Sequence, residues 1–113
     1  MNLFRHINII SMAIRPKTLV VTVSPLMIGT TMAFSSGKGH FTTAIVCFVS
    51  ALLIQIGTNL SNDYFDFVKG SDTDERLGPT RVTQAGLVSP NKMLIIFVFV
   101  FLLAGISGIF LVI

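Results

Sequence analysis

Three stretches of this chain carry no charged residue and are each long enough to cross a lipid bilayer: residues 18–34, 41–60 and 93–113. They run 17, 20 and 21 residues. At about 1.5 Å of rise per residue, a helix spans the hydrocarbon core with about 20 apolar residues. Inside that core the backbone must satisfy its own hydrogen bonds, so long uniformly apolar runs can only be helices. The expected fold class is therefore an all-α membrane protein with three transmembrane helices. Composition agrees, since charged residues make up 12% of the chain against about 25% in a typical soluble domain.

The segments around these runs are short. Residues 1–17 are basic and semi-polar, with Leu3, Ile7, Ile10 and Ile14 at spacings of three and four, the pattern of an interfacial amphipathic helix. Pro16 breaks or begins a helix there, because it lacks an N–H and fixes φ. Pro25 lies inside the first run, where a membrane helix tolerates a proline better than a soluble one. A cleaved signal peptide competes for this region, with Ala33-Phe34-Ser35 as a small-residue cleavage site, but the apolar run is long for that purpose and two more follow. In the third run Ala104 and Gly108 form a small-xxx-small pair, either a place where a helix could approach closely or two incidental small residues. Cys47 stands alone within the second run and reads as a small buried apolar residue. His6 and His40 have no partners in the pattern.

Basic residues fix an orientation. Arg5, Arg15 and Lys17 precede the first span, and Lys69, Arg76, Arg81 and Lys92 lie between the second and third. With three crossings these two groups share a side and leave Lys38 alone on the other. The positive-inside rule puts the richer side in the cytoplasm of a plasma or inner membrane. The eight basic residues form no patch interleaved with aromatics, which argues against nucleic acid as a partner.

All five carboxylates fall between positions 63 and 75, directly after the second span. They are Asp63, Asp66, Asp72, Asp74 and Glu75. The loop of about 30 residues that holds them, 62–92, is too long for a simple connector. If the second span continues as a helix, Asn62 and Asp66 share one face and Asn59 and Asp63 an adjoining one. Oxygen ligands at this spacing suit Mg²⁺, which keeps several waters and shares its shell with phosphate. Lys69, Arg76 and Arg81 follow, residue types that bind phosphate oxygens. Together these features point to a lipid diphosphate. A solvated mixed-charge loop is the alternative on spacing alone. EF-hand, P-loop, GxSxG and HExxH patterns are absent.

Asn62-Asp63-Tyr64-Phe65-Asp66 after a membrane helix resembles the first aspartate-rich motif of the UbiA superfamily of intramembrane aromatic prenyltransferases. The longer string, Asn59 through Asp66, Lys69-Gly70-Ser71-Asp72, Arg76-x-Gly78-Pro79-x-Arg81 and Gln84-x-Gly86, is similar to the 1,4-dihydroxy-2-naphthoate polyprenyltransferase branch. Arg15-Pro16-Lys17-Thr18-Leu19 is similar to the N-terminal signature of that branch. Gly70 stands where many superfamily members have a further Asp, and Asp72 follows two residues later, as in this branch.

The resemblance implies that Asn62 and Asp66, helped by Asp63, hold Mg²⁺ and with it a polyprenyl diphosphate. It makes Asp66 and Asp63 the catalytic carboxylates and Lys69, Arg76 and Arg81 the diphosphate contacts. Arg15 would reach either the diphosphate or the aromatic acceptor. The implied reaction prenylates 1,4-dihydroxy-2-naphthoate with loss of CO₂, giving demethylmenaquinone in menaquinone synthesis. Such enzymes have nine transmembrane helices and a second aspartate-rich motif. Residues 1–113 are then expected to be a partial domain, the first third of that bundle, with the remaining C-terminal portion as its natural partner and little transferase activity alone. Two other readings stay open: a related transferase with another aromatic acceptor, and a small non-enzymatic membrane interaction protein.

Overall fold

A computed structural model describes residues 3–69, 83 and 86–113 of the chain. These residues form four helices: α1 (Leu3–Ile14), α2 (Pro16–Ser35), α3 (Phe41–Val68) and α4 (Pro90–Val112). The last three are each long and apolar enough to cross a membrane, with mean hydropathies of 1.5, 1.9 and 3.0 in chain order.

Local chemistry sets the helix boundaries. Helix α1 ends before Arg15, where Pro16 follows and disfavours the right-handed helical region for the residue before it. Arg15 adopts a left-handed conformation instead, at φ 57° and ψ 77°, and Pro16 opens α2. Helix α2 runs through Pro25 to Ser35. It closes at Gly37, whose φ of 76° is one that glycine accepts without steric penalty. There the Lys38 N–H donates to the Ala33 carbonyl at 2.9 Å and the Gly37 N–H to Phe34 at 3.2 Å. At the start of α4 the Ser89 hydroxyl accepts from the Lys92 N–H at 3.3 Å, and Pro90 occupies the first turn, where no N–H is needed.

Helix α3 is the spine. It packs along α4, carries α2 on another side and touches α1 near its C-terminal end. With 28 residues it is about 42 Å long, well beyond the ~30 Å of a hydrocarbon core. Gly57 lets α4 approach, since a Cβ there would stand 2.8 Å from Cε1 of Phe101. Ser50 and Ser107 share a 2.8 Å hydrogen bond across the same interface, and Ala104 is buried in it. Gly108 plays no matching part: a Cβ there would meet nothing within 4 Å. Close approach is therefore provided by Gly57 on α3 and Ala104 on α4, without Gly108.

The core sits at one end of the molecule. Ala13, Leu60, Met93 and Phe97 are buried together, with Ile9, Met12, Ile56, Tyr64, Leu87, Val88 and Val100 packed against them. Tyr64 and Phe97 rings stand 5.6 Å apart, Phe65 and Phe97 5.9 Å, and Phe97 and Phe101 6.3 Å. Such offset aromatic contacts add to simple burial and fasten the end of α3 onto the start of α4. Helix α1 joins this core through Ile9, Met12 and Ala13. Its Leu3, Ile7 and Ile10 stripe is exposed on the opposite side, as an interfacial helix requires.

Candidate functional site

The polar residues of α3 form one stripe. At 100° per residue, Gln55, Asn59, Asn62, Asp63 and Asp66 lie within about 100° of one another around the axis. The helix is unbroken through all five, so their order along the stripe follows their order in the chain. Lys69, the next residue after α3, keeps a right-handed helical conformation and is exposed close to the Asn62 edge of the stripe.

The upstream half is buried in a hydrogen-bond network. The Asn59 side chain, 3% exposed, donates from Nδ2 to the Ile14 carbonyl and to the Thr18 hydroxyl, each at 2.7 Å. A carbonyl can only accept, so the Asn59 atom facing it is the nitrogen. Asn59 Oδ1 accepts from Gln55 Nε2 at 3.2 Å, and Gln55 Oε1 accepts from the Thr22 hydroxyl at 3.0 Å. Thr18 in turn donates its hydroxyl to the Arg15 carbonyl at 2.8 Å. The network thus ties α3 to the bend between α1 and α2. Buried amides are stabilising only when paired in this way.

The downstream half divides its tasks. Asn62 is exposed and Asp66 half-buried, one turn apart on the same face. Asp63 is 1% exposed and accepts the Thr83 N–H on Oδ1 at 2.9 Å, which brings the chain back against α3 before α4 begins. Asn62 and Asp66 thus keep some exposure on one face of α3, while Asp63 beside them is covered. Among the described residues no three His, Cys, Asp or Glu side chains gather closely enough to hold a metal. Arg15 is partly buried, with a buried Nη2 that finds no hydrogen-bond partner. Arg76 and Arg81 lie outside the described residues, as do Asp72, Asp74, Glu75 and Gln84.

Two features of this arrangement escape the sequence pattern. Gln55 and Asn59 stand out as the polar members of the second span, but their partners, Thr18 and Thr22, could be found only as another i, i+4 pair on the preceding span. Thr83 gives no local signal, because it meets Asp63 across 20 residues of chain.

The model of the UbiA prenyltransferase family matches residues 22–112. A 1,4-dihydroxy-2-naphthoate octaprenyltransferase of Escherichia coli is 39% identical over 98 residues, covering 84% of this chain and 32% of the relative. The protein of the same description from Haemophilus influenzae is 32% identical over 100 residues, covering 87% and 32%. That from Bacillus subtilis is 41% identical over 64 residues, covering 57% and 21%. The chain thus spans about a third of the length of the first two relatives. No solved structure matches.

Proposed function

The chain belongs to the UbiA prenyltransferase family, and on that premise we propose that it carries the diphosphate-facing part of a Mg²⁺-dependent 1,4-dihydroxy-2-naphthoate polyprenyltransferase. The observation that carries this is the pair Asn62 and Asp66, one turn apart on one face of α3, beyond the length that a bilayer core absorbs. Their donors fit the metal: two hard oxygens one helical turn apart, too few for a closed protein cage and suited to an ion that keeps water and phosphate ligands. Bound there, Mg²⁺ would supply charge neutralisation at the departing diphosphate.

The remaining steps belong to the chain and its substrates. Lys69 at the end of α3, with Arg76 and Arg81, contacts the diphosphate oxygens. Arg15 binds either that group or the carboxylate of the acceptor. Asp63 shapes the site by holding Thr83, and with it the return of the loop, against α3. The allylic C–O bond breaks with both electrons leaving on the diphosphate. The carboxyl-bearing carbon of the electron-rich ring forms the new C–C bond to the allylic carbon. The ring then loses CO₂ from its carboxylate, and the electron pair of the broken C–C bond restores aromaticity, leaving a prenylated quinol. The names of the relatives support the acceptor. The excess of basic residues around the site supports a cytoplasmic face of the plasma or inner membrane.

A chimera tests the reading: this chain replaces the matching 98 residues of the Escherichia coli relative. Membranes containing it receive labelled polyprenyl diphosphate, 1,4-dihydroxy-2-naphthoate and Mg²⁺. A decarboxylated prenyl product is expected, lost on chelation and reduced about 100-fold or more by Asp66→Ala. A well-expressed chimera whose turnover ignores both treatments would overturn the proposal.

A further inference from the structure

The hydrogen bonds of Asn59 converge on a single residue that they do not themselves touch. Its Nδ2 holds the Ile14 carbonyl and the Thr18 hydroxyl, one on each side of Arg15. Thr18 then binds the Arg15 carbonyl twice, through its hydroxyl at 2.8 Å and its N–H at 3.0 Å. The Gln55 and Thr22 contacts fix which way the Asn59 amide faces.

Arg15 is unusual in two respects. Among the described residues it is the one non-glycine with positive φ. That conformation is disfavoured for any side chain with a Cβ and persists where the surroundings over-determine it. Its Nη2 is also buried without a partner. A buried guanidinium donor left unsatisfied is costly, and its planar fork matches carboxylate and phosphate oxygens. The place is informative as well. The Asn59 bonds set the Arg15 backbone at the level of Asn59 on α3. Asn62 follows about 4.5 Å and Asp66 about 10.5 Å farther along the same stripe.

We propose that Asn59 is a positioning residue: it locks the α1–α2 bend in its left-handed form, so that Arg15 presents Nη2 to an oxyanion held over the Asn62–Asp66 face. The oxyanion is either a diphosphate or the carboxylate of an aromatic acid. This rests on the functional reading above for the nature of the ligand, but the mechanical part, Asn59 acting through the bend, stands on hydrogen bonds alone.

The test uses the chain in lipid nanodiscs with two probes, inorganic pyrophosphate with Mg²⁺ and 1-hydroxy-2-naphthoate. Asn59→Leu and Thr18→Val are each expected to weaken one probe about tenfold, while Thr18→Ser restores it. The probe affected identifies the oxyanion. In an Arg15→Gln background Asn59→Leu should have no further effect, as a double-mutant cycle requires of residues acting in series. A readout independent of binding is the distance between spin labels at Ile7→Cys and Val68→Cys in a Cys47→Ser chain, expected narrow and broadened by Asn59→Leu. Unchanged label distances in Asn59→Leu, or a full loss of affinity that persists without Arg15, overturn the inference. Binding of neither probe by a wild-type chain with narrow label distances overturns the oxyanion assignment and leaves the family reading standing. Pyrophosphate binding that ignores Mg²⁺ and Asp66→Ala counts against the proposed function instead, and leaves the Asn59 cycle able to decide its own case.

Discussion

Asp63 and Asp66 are three residues apart, two carboxylates of one motif that helical spacing sets on adjoining faces. The fold separates them. Asp66 stays half-exposed, whereas Asp63, turned about 60° further around α3, is buried and receives Thr83. Spacing alone gives a residue its angle on a helix but not what covers that angle, and here the cover arrives from 20 residues downstream. The same limit applies at Arg15. Pro16 marks a helix boundary in the sequence, yet the left-handed turn before it depends on Asn59, which lies on another span. The residue-level expectation concerns Asp63. Asp63→Ala leaves the Thr83 N–H buried and unpaired, so unfolding in detergent should be easier by about 1–3 kcal/mol. Asp63→Asn, which keeps an acceptor oxygen, should lose less than half of that. Equal losses in the two variants would show that the charge, not the hydrogen bond, matters there.

At the scale of elements, hydropathy and helicity end at different places. The apolar stretch of the second span stops at position 60, but α3 continues to Val68. Hydropathy reports what lipid will accept, whereas the helix persists as long as its side chains have somewhere to go. Tyr64 and Phe65 find α4 and Asp63 finds Thr83. The extension is what carries the downstream half of the polar stripe beyond the apolar run. The α3–α4 contact that supports it was less legible. The Ala104–Gly108 pair pointed to close packing on α4, but Gly57 on α3 supplies the space for Phe101. Gly57→Ala should therefore force the Phe101 ring aside and lower stability by about 1–3 kcal/mol. Phe101→Leu should recover part of that loss only in the Gly57→Ala background. Additive effects, measured by unfolding of the single and double variants, would mean that the two residues are not in contact.

Seen as a whole, the molecule is dense at one end and open at the other. The buried core gathers around Leu60, Met93 and Phe97 beside the polar stripe of α3, while α2 contains no fully buried residue. The number of spans and their helical nature could be read from run lengths, because the bilayer dictates both. The location of the core could not be read, because outside the polar stripe of α3 the faces of these helices are apolar enough for either lipid or protein. Orientation makes a prediction at this scale. In a Cys47→Ser background, Lys38→Cys should react with a membrane-impermeant thiol reagent in intact cells. Lys92→Cys should react only after the membrane is breached. The reverse pattern would invert the topology and place the acidic stretch outside the cell.

The unequal hydropathies of the spans also bear on how the chain is made. At 3.0, α4 is apolar enough to partition into the bilayer unaided, but α2, at 1.5 and rich in hydroxyl side chains, is a marginal passenger. Its Thr22 finds Gln55 on α3, and the turn at Gly37 sets the two helices side by side. During synthesis α2 should therefore wait at the translocon until α3 emerges, and the two should enter as a hairpin. Glycosylation mapping of α2 alone should show partial insertion, which rises when α3 follows and falls back with Gln55→Leu, a change that breaks the contact without altering α2. An α2 that inserts fully by itself would remove the need for a hairpin. The polar contact that helps to shape the site would then have no part in the birth of the protein.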